Sequence, residues 1–473
     1  MVYMKNMDTS TPFNCSLDVY SWLSGFVNFE RGQKLKSLSL DRMEVLSQMS
    51  GRPEKSAASI HVAGSKGKGS VTGIIAAILE ASGIKTARYS SPHVSDFRER
   101  LMSGNNFFTE DTYIKAGNEL KELVGKLPES PKPELFDSSL ENGEGPSFFE
   151  LLTLWFFLCV REARLDAMAV ETGMGGRLDA TNILDPLVSV ITLIELEHTE
   201  YLGNTIAAIA GEKAGIIKPG RPLVLSEQSQ EALDVFRRHT AEKKVKLIYF
   251  PEYLEIQNLH VSREGTKFNI FFKKDIGFNN ENFNEFFIPI PGEVQAKNSS
   301  LAILAAKTAF PDIRIENIKK AIAGFILPAR FERISDTPPF IIDGAHTRQS
   351  MELCVNTYTL LYDKGSILVF GCAAGKDVLS MAKCCIPNFS NIIITTPGTF
   401  KISHPEEILK IFSDEALNQN NKPNIHFIPE TEKAIDMAIN LAIKNNLPIL
   451  GAGSFYLAGE IRKKLNSKLS ISV

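Results

Sequence analysis

The sequence predicts an α/β protein of two domains, each a parallel sheet covered by helices. Short apolar, β-branched runs alternate with segments of helical period, the pattern of strand–helix–strand units. At 473 residues the chain is longer than one hydrophobic core usually serves. A stretch over 327–339 carries three prolines directly before a new apolar run, which sets the expected domains at 1–328 and 329–473.

The first unit is a strand over 59–64 and a helix from about Ser70. In that helix Val71, Ile74, Ile75, Ile78 and Leu79 share a face, and Gly83 stands where a C-terminal cap is expected. Further apolar runs over 166–170, 187–194, 340–342, 367–370, 392–395 and 448–450 are each short enough to be a buried strand. The acidic, Pro-, Gly- and Ser-rich segment 131–146 reads as a surface loop. Aromatic and polar residues alternate over 249–291, which predicts antiparallel hairpins attached to the first domain. A cleft between the two domains is then the default ligand site.

Composition narrows the function classes. With 44% hydrophobic and 23% charged residues the chain has a globular balance, not that of a disordered one. A formal net charge of -3 gives no general attraction to nucleic acid or to an anionic membrane, so any anion site must be local. The start, MVYMKNMDTS, lacks the basic and apolar regions of a secretory signal. The most apolar run, 151–160, is too short to cross a bilayer, so a cytoplasmic location is expected. Six cysteines are scattered, and the one close pair, Cys384 and Cys385, is directly adjacent. That is neither a zinc spacing nor a disulfide framework, so ordinary thiols are expected.

Four segments carry the chemistry. Gly64, Ser65, Lys66, Gly67, Lys68, Gly69 and Ser70 lie between a strand and a helix. Glycines there let successive N–H groups turn toward an anion, and the helix start adds partial positive charge. Lys68 would reach the outer phosphates, while Lys66 either binds phosphate or faces solvent. Val62 stands five positions before Gly67, so this is not the common phosphate-loop spacing. Glu171 ends a buried run beside a glycine turn, a place for a Mg²⁺ ligand or for a solvated acid. His198 follows another apolar run; a lone histidine there is more often structural, and histidine is an uncommon magnesium ligand. Lys213, on a helix opening near Asn204, reads by itself as a helix-end lysine facing the dipole.

Together these segments resemble the folylpolyglutamate synthase and dihydrofolate synthase family, relatives of the Mur peptidoglycan ligases, over about residues 59–462. HVAGSKGKGS resembles the family's Gly-Thr-Asn-Gly-Lys-Gly-Ser loop, YSSPHVSDFRER its Ser-Pro-His segment, and ETGMGGRLDATNI its Glu-x-Gly-x-Gly-Gly-Arg-x-Asp-Ala-Thr-Asn signature. EHTEYLG and EKAGIIKPG resemble the two segments after it. The resemblance implies a phosphate-loop, Mur-type central domain followed by a smaller Rossmann-like domain. It implies ATP contacts at Gly64, Gly67, Lys68, Gly69 and Ser70, and magnesium ligands at Ser91, Glu171 and His198. Catalytic roles fall to Lys68, His198 and Lys213. Lys213 becomes a candidate for carbamylation, holding a second magnesium, which needs the usual lysine pKa of about 10.4 lowered by burial or by nearby positive charge. Arg177 and Asp179 fall on the substrate side, and 92–100 with 177–182 near the pterin.

The second domain matches with departures. Leu327-Pro-Ala329-Arg330-Phe-Glu resembles Pro-Gly-Arg-x-Glu, with Arg330 on a nucleotide phosphate and alanine in place of glycine. Asp343-Gly-Ala-His346-Thr347 resembles Asp-Gly-Ala-His-Asn, with Asp343 and His346 on the nucleotide and Thr347 in place of asparagine. Val294-Gln295-x-x-Asn298 resembles His-Gln-x-x-Asn, with Asn298 on the nucleotide and the histidine lost. Gly453-Ser454-Phe-Tyr456-Leu matches a late Gly-Ser-x-Tyr-Leu segment, expected to support the fold. The activity implied is an ATP- and Mg²⁺-dependent ligase adding L-glutamate to a reduced folate, and also to dihydropteroate, through an acyl phosphate. Its implied partners are these small molecules, with no nucleic acid and no membrane, in a monomer. Two other readings stay open: a different Mur-type amide ligase, or a nucleotide-binding module without turnover, which the departures at Val294, Ala329 and Thr347 motivate.

Overall fold

Strand β1 (Ala58–Ala63) runs through a glycine loop into the helix Lys68–Ala81, so the first expected unit forms, with its helix opening two residues earlier than Ser70. Gly67, at φ +85°, turns the chain into that helix in a conformation a side chain would resist. The computed structural model describes residues 11–28, 39–136, 145–278, 281–362, 364–398, 401–419 and 422–469. The amino-terminal decapeptide read for a signal, and 137–144 of the expected loop, lie outside these. Of that loop, Pro133–Phe136 forms a short 3-10 turn.

Seven further strands complete the first sheet: β2 (Thr86–Tyr89), β3 (Leu101–Ser103), β4 (Asn106–Phe107), β5 (Ala167–Glu171), β6 (Val188–Ile191), β7 (Leu223–Leu225) and β8 (Leu247–Tyr249). Their order is β4-β3-β2-β5-β1-β6-β7-β8, parallel from β2 to β8 and antiparallel at the β3 and β4 edge. The run over 187–194 yields a shorter strand than expected. Beyond Ile191 the chain turns onto the β1 loop, where Thr192 N donates to Ala63 O at 2.8 Å and Leu193 O accepts from Ser65 N and Lys66 N. The strands β2, β7 and β8 escape a reading by period because each spans only three or four residues.

The hairpins expected over 249–291 form a three-stranded antiparallel sheet of β9 (Leu254–Ser262), β10 (Gly265–Phe272) and β11 (Phe286–Ile288). The second large sheet holds β12 (Glu332–Asp336), β13 (Pro339–Ile342), β14 (Ser366–Phe370), β15 (Phe389–Ile394), β16 (Asn424–Phe427) and β17 (Ile449–Ala452). It runs β12-β13-β17-β14-β15-β16, parallel except for β12, so the mixed α/β architecture of two parallel sheets is as expected.

The apolar run over 151–160 lies in a core helix, Phe148–Glu162. Its start is fixed reciprocally: Ser147 N donates to Glu150 Oε2 at 2.7 Å, and Glu150 N donates to Ser147 Oγ at 3.2 Å. Trp155, Phe156 and Phe157 are all fully buried, each stabilising the fold by about 1.5–3 kcal/mol over exposure. Among the described residues no helix is long and apolar enough to cross a membrane. All six cysteines are free thiols, four of them buried.

The connection leaving β1 runs to β2 on one side, and that leaving β6 runs to β7 on the other. The carboxyl ends of this adjacent pair are therefore a topological switch point, where open α/β sheets bind ligands. In the second sheet the segments after β13 and β17 likewise leave from neighbouring strand ends.

Candidate functional site

A cleft of about 1040 Å³ opens where these two sets of strand ends meet. From the first sheet it takes Gly67, Lys68, Gly69, Ser70, Ser91, Glu171, Arg177, Asp179 and His198; Asn298, Arg330, Asp343 and His346 complete it. The predicted residues therefore converge, although they are scattered from 67 to 346 in the chain. Gly64 and Lys213 lie just behind the lining.

The loop is packed so tightly that Gly64 and Gly67 leave no room for a side chain. A Cβ on Gly64 would sit 1.8 Å from Thr192 Oγ1, and one on Gly67 would sit 2.7 Å from Asn298 Oδ1. Gly69 lies directly over Glu171, whose Oε2 would be 3.4 Å from an added Cβ. Not every amide of the loop points inward as expected, because Ser65 N and Lys66 N donate to Leu193 O. At the helix start the amides of Lys68, Gly69 and Ser70 have no protein acceptor among the described residues, which is the set a helix offers an anion.

Behind the loop two lysines converge on one carbonyl. Lys68 Nζ and Lys213 Nζ each donate to Gly64 O at 2.8 Å. Lys213 is not an ordinary helix-end lysine: it is 1% exposed and donates to Glu197 Oε1 at 2.7 Å. Burial, reinforced by Lys68, pulls its ammonium down to about 8, which is the condition carbamylation requires. Burial pushes Glu197 up, but Lys68 and Lys213 outweigh it and hold the carboxyl at about 2. Sequence reasoning missed Glu197. The acid one residue before His198 was the only signal for it.

Glu171 closes β5 with its side chain buried, Oε2 accepting from Ser91 N at 3.3 Å. Burial raises it to about 7, against the pull of Lys68, the Ser91 amide and Arg330. A buried carboxylate so poorly compensated is a fitting seat for a hard divalent cation, whose natural donors are oxygens. Ser91 lies beside it, and His198 lines the same cleft at φ +46°, with burial lowering its pKa. Among the described residues no three His, Cys, Asp or Glu side chains form a metal cage. The donor set therefore suits an ion that keeps water and phosphate ligands, as magnesium does.

Asp179 is largely occupied within its own loop. Its carboxylate accepts from Met174 N at 2.9 Å, Thr181 N at 3.1 Å and Thr181 Oγ1 at 2.5 Å, which orders the glycine turn. Arg177 is exposed and pairs with Glu212 at 2.8 Å. Of the expected pterin-side segments, Pro92 and 177–180 reach the cleft.

On the facing side Arg330 stacks 4.1 Å over the Phe455 ring. Its neighbours Ala329 and Phe331 have φ of +54° and +45°, so the alanine occupies a left-handed position where glycine is the natural residue. That strain is of order 1 kcal/mol or more per residue. Asp343 holds the contorted loop in place, accepting from Phe331 N and Ala345 N, each at 2.8 Å. His346 Nδ1 donates to Gly344 O at 2.8 Å, and burial lowers the ring to about 4, leaving a neutral imidazole. Ser454, Phe455 and Tyr456, expected only to support the fold, line the cleft, as do Lys376 and Lys401, which no motif flagged.

Two families match the chain: Mur ligase middle domain over residues 148–306, and Mur ligase, glutamate ligase domain over 329–455. Folylpolyglutamate synthase of Lacticaseibacillus casei is 30% identical over 421 residues, 88% of this chain and 91% of that protein. Dihydrofolate synthase/folylpolyglutamate synthase of Bacillus subtilis (strain 168) is 30% identical over 462 residues, 96% of this chain and all of that one. The structure of Mycobacterium tuberculosis folylpolyglutamate synthase complexed with ADP superposes with a TM-score of 0.83 at 25% identity, covering 95% of this chain and 98% of that one. Likeness of this extent, over a cleft that assembles the motif residues from both sheets, establishes that the chain belongs to the folylpolyglutamate synthase and dihydrofolate synthase family.

Proposed function

We propose that the chain is an ATP- and Mg²⁺-dependent ligase that joins L-glutamate to the carboxylate of a reduced folate, and to that of dihydropteroate, through an acyl phosphate. The observation that carries this reading is the meeting of the glycine loop with Arg330, Asp343 and His346 across one cleft. The division at 328 and 329 is part of the proposal: Ala329 and Arg330 begin the portion that brings the second set of groups.

In the reaction a carboxylate oxygen of the folate attacks the γ-phosphorus of ATP, and the bond to the β,γ-bridging oxygen breaks to release ADP. The neutral amine of glutamate then adds to the acyl carbon; phosphate leaves with the carboxylate oxygen, and the surplus amine proton is released. Catalysis is mostly positioning and charge neutralisation. The free amides of Lys68, Gly69 and Ser70 cradle the phosphates, Lys68 swings from Gly64 O onto them, and Arg330 meets them from the opposite wall. Asn298 supports the turn at Gly67, and Asp343 fixes the Arg330 loop. Ser91, Glu171 and His198 would hold the magnesium, which lowers the charge of the phosphates when bound. Lys213 and Glu197 keep the loop's rear carbonyl in place.

The test is ADP release by the purified protein with ATP, Mg²⁺ and L-glutamate, comparing dihydropteroate, tetrahydrofolate and a nucleotide-sugar peptide. Glutamate-dependent ADP release is expected with the first two acceptors. Activity on the peptide alone would move the chain to another Mur-type chemistry, and activity with none would leave a silent nucleotide-binding module.

A further inference from the structure

The phosphate loop reaches across the cleft through Lys66. Its backbone is pinned to the segment that follows β6, where Lys66 N donates to Leu193 O at 3.2 Å. Lys66 Nζ donates to Thr347 Oγ1 at 3.2 Å, on the opposite wall and 281 positions later in the chain. Thr347 is itself fixed, its hydroxyl 2.8 Å from Ser350 Oγ. The two residues occupy the positions where the family's motifs have asparagine, one in each wall, so both departures fall on a single contact.

A hydroxyl is a weak partner for a half-buried ammonium. Lys66 forms no ion pair among the described residues, while Glu195, Glu197, Lys68 and Arg330 surround it within electrostatic reach. Lys68 points back to Gly64 O, whereas Lys66 stands forward, between the loop and the wall that carries Arg330 and His346. A terminal phosphoryl group held in the cleft between those walls would lie where Lys66 offers its charge.

We propose that Lys66 is a second phosphate-contacting lysine that engages the γ-phosphoryl group, and that Thr347 is the residue that positions it from the other side of the cleft. This rests on the nucleotide reading above but not on the identity of the acceptor. With Thr347 still accepting one of the three N–H donors of Lys66, the ammonium is aimed so that another donor makes a charge-assisted hydrogen bond to a phosphate oxygen.

Calorimetry with Mg²⁺ and either ADP or AMPPCP, the ATP analogue that retains a γ-phosphate, tests the assignment without any folate. Lys66→Asn should weaken AMPPCP about tenfold or more, the scale of a charge-assisted hydrogen bond, and leave ADP within about twofold. Lys66→Arg should restore part of the loss, and Thr347→Val should produce a smaller loss that disappears in the Lys66→Asn background. Equal weakening of ADP and AMPPCP, or of neither, overturns the γ-phosphate contact. Losses from Lys66→Asn and Thr347→Val that multiply in the double variant overturn the role of Thr347. A wild-type protein that binds neither nucleotide overturns this inference and the nucleotide reading together. Lys66-dependent AMPPCP binding without turnover upholds the inference and overturns the proposed ligase chemistry alone.

Discussion

Replacing Lys68 by alanine is expected to lower kcat for ADP formation by about 10²–10³, some 3–4 kcal/mol of transition-state stabilisation. Lys68 opens the helix whose first amides are free, and its protein partner is a single carbonyl, Gly64 O at 2.8 Å. Its charge also holds down Glu197 and offsets Glu171, so each variant is assayed at a temperature below its own melting transition. Lys68→Arg should not rescue activity, because a planar, longer guanidinium does not fit a turn closed by Asn298 and Thr192. Steady-state ADP assays on the folded variants decide this. Wild-type turnover in Lys68→Ala would remove the phosphate loop from the mechanism.

Glu171→Gln is expected to abolish turnover while making the protein more stable. Burial raises the Glu171 carboxyl from 4.5 to about 7 in the folded chain. The unfolded chain ionises above pH 4.5, the folded chain only above about 7. Wild-type stability is therefore lost as pH climbs between these values, by about 3 kcal/mol at roughly 1.4 kcal/mol per pH unit. Glutamine does not titrate. In EDTA the variant should exceed the wild type by about 3 kcal/mol at pH 8, and the gap should close toward pH 4.5. Denaturant unfolding at the two pH values checks this, and a variant less stable than the wild type at pH 8 would contradict it. A destabilised acid retained in a cleft is what a cation site looks like when the cost is repaid on binding.

The parts of this fold written in local pattern were legible. β1, β5, β13, β14, β15 and β17 are apolar runs in the sequence because both faces of a parallel sheet are covered. The loop over 64–70 announced itself through glycine spacing, and the fold explains Gly64 and Gly67 by a neighbour too close for a side chain. Glu197, Lys376, Lys401 and the cleft-facing role of Phe455 were not legible. Their contributions come from which strand ends meet, a long-range property with no local signature. Alanine at 329 read only as a missing glycine. Its φ of +54° shows what the motif protects, a left-handed turn that presents Arg330. Lys66, which in the sequence could bind phosphate or face solvent, and Thr347, read there only as a lost asparagine, are one contact in space.

The central claim is that the cleft makes a carboxylate electrophilic by phosphorylating it. A reduced folate carrying oxygen-18 in its terminal carboxylate, incubated with the protein, ATP, Mg²⁺ and L-glutamate, tests this through mass analysis of the released phosphate. One labelled oxygen in each phosphate formed with the amide is the predicted result. Amide formation with unlabelled phosphate, or phosphate release without any amide, would contradict it.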